Sequence, residues 1–161
     1  MIDRFNEKPD TEAVRELYAC FASHSWAERV AEGRPYPDFE RLWAACEAAW
    51  SALAPAEWVE AFAAHPRIGE RGGHAPDSSE REQTGVYAAP RGTLDALAEE
   101  NQSYEARFGH VFLISASGRT AGEILVALRQ RMSNDPSAEI EVAAAEYRKI
   151  TRLRLERMLA E

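Results

Sequence analysis

Phe39-Glu40-Arg41-Leu42-Trp43-Ala44-Ala45-Cys46-Glu47-Ala48-Ala49-Trp50-Ser51-Ala52-Leu53 is the stretch that decides the fold class. Phe39, Leu42, Trp43, Cys46, Trp50 and Leu53 recur at helical steps, which puts them on one stripe of an α-helix through four turns. The same period extends to either side. Val14, Leu17, Tyr18 and Phe21 share a face of a helix that begins after Pro9-Asp10-Thr11. Ser25 and Glu28 have the spacing of a capping box, so a short helix is expected to open there and stop near Gly33. Downstream, Pro55 suits a first helical turn, where its missing N–H costs nothing, and Trp58, Val59 and Phe62 supply the apolar side. That helix is expected to end at His65-Pro66, because a residue before proline is pushed out of the α region.

The helical pattern pauses over residues 66–79, which hold Pro66, Gly69, Gly72, Gly73 and Pro76, so a loop is expected. It resumes at Leu94, Leu97, Ala98, Asn101, Tyr104 and Phe108, with Gly109 as the left-handed residue that closes the helix. Val111-Phe112-Leu113-Ile114 is wholly apolar and has no partner strand in the chain, which predicts an extended segment threaded between helices. Thr120 with Glu123 forms another capping box, opening a helix through Ile124, Leu125, Leu128 and Met132 that Asn134-Asp135-Pro136 breaks. A last helix runs from about Ser137 through Ile140, Ala144, Tyr147 and Ile150 toward Met158. The reading is an all-α bundle of roughly seven helices in a single domain over residues 1–161.

Composition narrows the function. The net charge of −8 over 161 residues leaves no basic footprint for nucleic acid or an anionic membrane. No apolar run nears the ~20 residues of a membrane span, and Met1-Ile2-Asp3-Arg4 does not open a signal peptide, so the cytoplasm is the expected location. Cys20 and Cys46 lie inside apolar helical patterns without zinc-site spacing and read as small core residues. A small anionic ligand remains compatible with the acidic chain, because a pocket answers to the few charges lining it.

His65 is the first candidate for chemistry. It sits at a helix end, precedes Pro66 and opens the loop His65-Pro66-Arg67-Ile68-Gly69-Glu70. Imidazole titrates near neutrality and can deliver a proton to a developing carbanion. The competing reading is electrostatic, a histidinium resting on the helix dipole. Glu82-Gln83 offers a carboxylate beside an amide that both donates and accepts, although Ser79 and Glu82 are also spaced as a capping box. Arg67, Arg71, Arg81 and Arg131 can each fork onto a carboxylate, and each can equally be a solvated surface charge. His65, Glu70 and His74 match no recognised metal spacing. Phosphate-cradle and nucleophile-elbow motifs are absent from the sequence.

His65-Pro66-Arg67-Ile68-Gly69, Ser79-Glu80-Arg81-Glu82-Gln83 and Asn101-Gln102-Ser103-Tyr104-Glu105-Ala106-Arg107-Phe108-Gly109 together resemble the 2-oxo-4-hydroxy-4-carboxy-5-ureidoimidazoline (OHCU) decarboxylases in order and spacing. The likeness continues through Phe112-Leu113-Ile114-Ser115-Ala116, Glu123-Ile124-Leu125 and Arg131-Met132-Ser133-Asn134. The resemblance implies a cofactor-free, metal-free helical enzyme, usually a homodimer, that makes (S)-allantoin in the third step of urate degradation. It also implies roles: His65 as proton donor with Glu82 as its catalytic companion, and Pro66, Ser79, Glu80, Arg81, Glu82 and Gln83 along one binding wall. Phe112, Leu113, Ile114, Ser115 and Ala116 would form the other wall through backbone groups, and Arg131 would meet a substrate carboxylate. The loop from His65 to Ser79 is shorter than is common in that family. Two other readings stay open: a cofactor-independent lyase or hydrolase on a related ureide, and a non-catalytic helical scaffold.

Overall fold

The computed structural model describes residues 1–161 and contains helices and connecting segments without a strand. Ten helices follow in order: α1 (Ile2–Glu7), α2 (Asp10–Cys20), α3 (His24–Glu32), α4 (Phe39–Ser51), α5 (Pro55–Ala63), α6 (Pro76–Glu82), α7 (Thr84–Tyr87), α8 (Arg91–Phe108), α9 (Ala121–Arg131) and α10 (Pro136–Ala160). Two compact units are formed, one from residues 1–61 and 150–161, the other from residues 62–149.

In the first unit, the stripe read from residues 39–53 faces inward: Leu42, Cys46, Ala49 and Trp50 of α4 are buried. Trp50 stacks on Trp26 at 5.4 Å, and Phe21 meets both rings at 5.2 and 5.6 Å. Trp58 adds a further edge contact to Phe21 at 5.1 Å. The Trp26 indole N–H finds a partner deep in this core, Nε1 donating to the Cys46 carbonyl at 3.1 Å. Cys20 and Cys46 are free, buried thiols, and burial pushes the Cys46 thiol up from its ordinary range.

The second unit is built on Leu97 and Tyr104 of α8 and Ile124, Leu125 and Leu128 of α9, joined by Ile68, Val86, Phe112, Ile114 and Ala116 from shorter pieces. Gly109 takes the left-handed conformation (φ 78°) and its N–H donates to the Glu105 carbonyl, closing α8 as the sequence predicts. Thr120 caps α9 by accepting from Glu123 N at 3.2 Å. Residues 111–116 form neither helix nor strand.

Three expectations are corrected. The helix count is ten rather than roughly seven, because α1, α6 and the four-residue α7 are too short to show a period and form on tertiary support. Buried Phe5 anchors α1, and the Asn6 side chain bonds the Tyr36 backbone on both its N–H and its carbonyl. The Ser25–Glu28 capping box is not used: Ser23 caps α3 by accepting from Trp26 N at 3.3 Å, and the Ser25 hydroxyl donates to Glu57 at 2.9 Å. The loop ends at Ala75 rather than residue 79, since Pro76 occupies the first turn of α6 with Ala75 as its N-cap. Ser79 therefore lies inside α6, and the Ser79–Glu82 capping box falls away.

Candidate active site

His65 follows α5 directly, its N–H donating to the Phe62 carbonyl at 3.1 Å, and its residue exposure is only 9%. The imidazole packs edge-on against Tyr147 of α10 (centroids 4.4 Å) and against His74 (5.1 Å). His74 donates its backbone N–H at 3.1 Å, and its Nδ1 at 3.3 Å, to the carbonyl of Ala64. The two ends of the loop are thereby joined beside the imidazole. Gly73 makes that closure possible: its φ is +81°, and a Cβ there would come within 2.7 Å of Pro66 Cδ and 2.9 Å of the Ala64 oxygen.

The residues after His65 are pinned from two sides. From α8, Glu105 receives a bidentate fork from Arg67 at 2.6 and 3.1 Å, and Asn101 Nδ2 donates to the Ile68 carbonyl at 3.2 Å. The Glu105 carboxylate beside it holds the Arg67 guanidinium above its ordinary pKa. From the other side, Gln83 Oε1 accepts from Gly69 N at 2.8 Å and the Tyr87 hydroxyl donates to the Glu70 carbonyl at 3.1 Å. Ile68, buried between, belongs to the core of the unit. Arg67, Ile68, Glu70, Leu94, Asn101 and Glu105 line an open cleft of about 310 Å³ on this flank. The Glu70 side chain is exposed and lies 3.6 Å from Arg67, whereas His74 faces His65.

Helix α6 sorts its residues by face. Ser79, Glu82 and Gln83, at i, i+3 and i+4, are 2%, 7% and 4% exposed, so three polar groups line its inner side. Pro66 is half-buried. Glu80 is half-buried and pairs with Arg71 at 3.1 Å, and Arg81 is exposed, so neither shares the inward face of Ser79, Glu82 and Gln83. Gln83 is oriented by its neighbour: with its carbonyl oxygen on the Gly69 N–H, its remaining capacity is the donating NH₂ group.

Phe112, Leu113, Ile114 and Ala116 are at most 4% exposed and Ser115 is half-buried. No backbone group of residues 112–115 bonds to another backbone group. The segment is held from α9 instead. Arg131 Nη1 donates to the Leu113 carbonyl at 2.6 Å, its Nε donates to Glu139 Oε1 at 2.7 Å, and its plane lies 4.4 Å from the centroid of Phe112. Glu139, fully buried in the first turn of α10, also accepts from the Tyr104 hydroxyl and from Asn134 Nδ2 at 2.9 Å. Burial, and secondly the bond to Glu139, raise the Tyr104 pKa well above the phenol range.

Sequence reasoning passed over Glu139 and took Tyr147, Tyr104 and Asn101 as ordinary members of a helix face. A glutamate in the first turn of a helix is routine for the macrodipole, so nothing local marks Glu139 as buried. The arrangement as a whole combines one imidazole in a sheltered position, a carboxylate and an amide on the inward face of α6, and a run outside helix and strand whose backbone groups have no ladder to join. Such a set can orient a small polar heterocycle by hydrogen bonds and move one proton.

The sequence profile of the OHCU decarboxylase family matches residues 6–156. The uric acid degradation bifunctional protein TTL of Arabidopsis thaliana is 35% identical over 152 residues, which cover 91% of this chain and 47% of that protein. The chain thus spans about half the length of that relative. The 2-oxo-4-hydroxy-4-carboxy-5-ureidoimidazoline decarboxylase of Haloferax volcanii is 28% identical over 96% of this chain and 91% of its own length. Among solved structures, an OHCU decarboxylase crystallised in the presence of (S)-allantoin superposes with a TM-score of 0.81 at 34% identity, over 91% of this chain and 99% of the other. With the family profile matched along nearly its whole length, the chain belongs to the OHCU decarboxylase family.

Proposed function

We propose that the protein decarboxylates 2-oxo-4-hydroxy-4-carboxy-5-ureidoimidazoline to (S)-allantoin, with His65 as the proton donor. The observation that carries this reading is the tie between the His65 loop and the inward face of α6, through Gly69 N–H and Gln83 Oε1. It supports His65, Glu82 and Gln83 acting on one ligand.

In this reading the bond from the ring carbon to its carboxylate breaks, carbon dioxide leaves, and the electron pair delocalises into the adjoining ring. Donors aimed at that developing charge lower the barrier. One proton is consumed for each carbon dioxide released; His65 supplies it to one face of the ring and regains it from water. Glu82 accepts from substrate N–H groups, Gln83 donates its NH₂ to a carbonyl oxygen, Pro66 and Ser79 shape the same wall, and backbone groups of residues 112–116 supply the opposite one. Because one imidazole delivers the proton, the handedness of the product is set by how the ring is held.

The substrate is a small anion, and no helix is long and apolar enough to cross a membrane. A cytoplasmic homodimer is part of the same proposal, tested by light scattering of the purified chain. The activity itself is tested by generating the unstable ureidoimidazoline from urate in the cuvette and following optical rotation. The wild type is expected to give (S)-allantoin rapidly, and His65→Asn to lower the rate at least about 100-fold, the low end for loss of a general acid. Racemic product at the blank rate with the wild type overturns the proposal.

A further inference from the structure

We propose that the buried Arg131–Glu139 pair is a positioning device for the wall formed by residues 112–116, and that Arg131 acts on this segment rather than on the ligand. The inference rests on the decarboxylase reading above and assigns a task to groups that the reaction itself does not use.

The guanidinium is hydrogen-bonded through Nε and Nη1, and its Nη2 stands in ion-pair contact with Glu139 without a hydrogen bond of its own. Its Nε and Nη2 lie 2.7 and 2.6 Å from Glu139 Oε1, and its Nη1 lies 2.6 Å from the Leu113 oxygen. Its side chain is 10% exposed and that of Glu139 is 0%, so the pair is shielded from water that would otherwise compete for these bonds. Glu139 is in turn fixed by the Tyr104 hydroxyl from α8 and by Asn134 at the end of α9. Three helices therefore converge on one carboxylate, and the network's bond to the segment of residues 112–116 is the one to the Leu113 carbonyl.

That bond has a geometric consequence. Residues 112–115 belong to neither helix nor strand, so no regular element fixes the direction of their peptide groups. Holding the Leu113 carbonyl toward Arg131 fixes one of those peptides and with it the sense in which the segment presents the others. Residues 112–115 have no backbone partner that would fix this sense by themselves. Without the clamp, a rotation of the segment would change which donors and acceptors it presents. Displacements of about 1 Å around a reacting group can cost on the order of 100-fold in rate.

Removing one partner of a buried pair leaves an uncompensated charge and endangers folding, so the primary variant replaces both, Arg131→Met with Glu139→Leu, a change that buried pairs often tolerate. Arg131→Lys is the second variant: it keeps the charge opposite Glu139 but loses the planar fork, so one ammonium cannot serve Glu139 and Leu113 in the same geometry. Each is checked by circular dichroism and thermal melting, then assayed for kcat, KM and the enantiomeric excess of the allantoin formed. The expected result is a folded double variant with kcat lowered about 10- to 100-fold, a raised KM and a loss of (S)-excess, with Arg131→Lys intermediate in all three. If the double variant does not fold, the lysine variant alone decides by the same three readouts. Unchanged kcat, KM and (S)-excess in a folded variant overturn the clamp, while a wild type that yields racemic product at the blank rate overturns the decarboxylase reading instead.

Discussion

The unit of residues 1–61 and 150–161 buries aromatic surface; the unit of residues 62–149 buries charge and amide. In the first, Trp26, Trp50, Phe21 and Trp58 pack ring against ring, and its few buried polar side chains bond to the backbone, Thr151 to the Cys20 carbonyl, Arg154 to the Ala19 carbonyl and Ser23 to the Trp26 N–H. In the second, His65, Ser79, Glu82, Gln83, Asn101, Arg131 and Glu139 are all buried. Burying polar groups costs stability unless each finds partners, so a chain that concentrates them in one unit has a use for them there. The contrast separates a unit held by aromatic packing from one that carries the polar groups of the proposed site, and it can be broken at several points.

The largest effect is expected from Trp50→Ala. It removes a ring at the centre of the aromatic cluster and should cost about 3–5 kcal/mol in denaturant unfolding. Activity per folded molecule should stay at the wild-type value; a folded variant with a lower kcat would show that the aromatic unit also shapes the site.

High pH probes the polar unit. The Tyr104 phenol is raised in the folded state, so its contribution is complete below the unfolded phenol value of about 10. Above that value the unfolded chain loses its proton first and stability falls, by at most about 1.4 kcal/mol per pH unit for one group. Tyr104→Phe should flatten this part of a stability-against-pH curve measured by urea titration, and an unchanged slope would remove Tyr104 from the account. Tyr36, which burial raises to about 12, and the Cys46 thiol and Tyr87 phenol, also raised by burial, contribute to the residual slope.

Gln83→Leu keeps the volume but leaves the Gly69 N–H without its acceptor. A loss of about 1 kcal/mol is expected by chemical denaturation, together with a raised KM. A change in stability alone would confine Gln83 to bracing the loop. Arg67→Ala should have the smallest effect, no more than about 1 kcal/mol, since the side chain is 47% exposed and its pair with Glu105 is screened by solvent. Salt should narrow that difference further.

Much of this was legible in the chain. The stripe from Phe39 to Leu53, the glycine after Phe108 and the Thr120 cap all depend on bonds between near neighbours, and each forms as the spacing implies. The unpaired run at 111–116 was legible too, because no second segment existed to pair with it. What escaped reading was set by distant partners. Ser23 rather than Ser25 caps α3, with Ser25 engaged by Glu57 thirty-two residues away. Pro76 reads equally well as a loop residue and as a helix opener, and only the folded chain chooses. Glu139 could not be distinguished from a surface glutamate until Arg131, Tyr104 and Asn134 closed around it. His65 and the Glu82-Gln83 pair were visible as residue types, but the bond that ties their segments, from Gly69 to Gln83, spans fourteen residues and leaves no local mark.

The closure of the loop by His74 on Ala64 bears on how this sequence can change over generations. Since the ends of residues 65–73 meet, the intervening chain is a circuit whose length is decoupled from the position of the imidazole. Arg71 is exposed at its outer part, where insertions or deletions meet little packing. Doubling a flexible loop costs only about 0.6 kcal/mol in closure entropy. Lineages can therefore lengthen or trim this tip while the His-Pro pair stays in register, which makes the segment a place where specificity can drift without loss of the reaction.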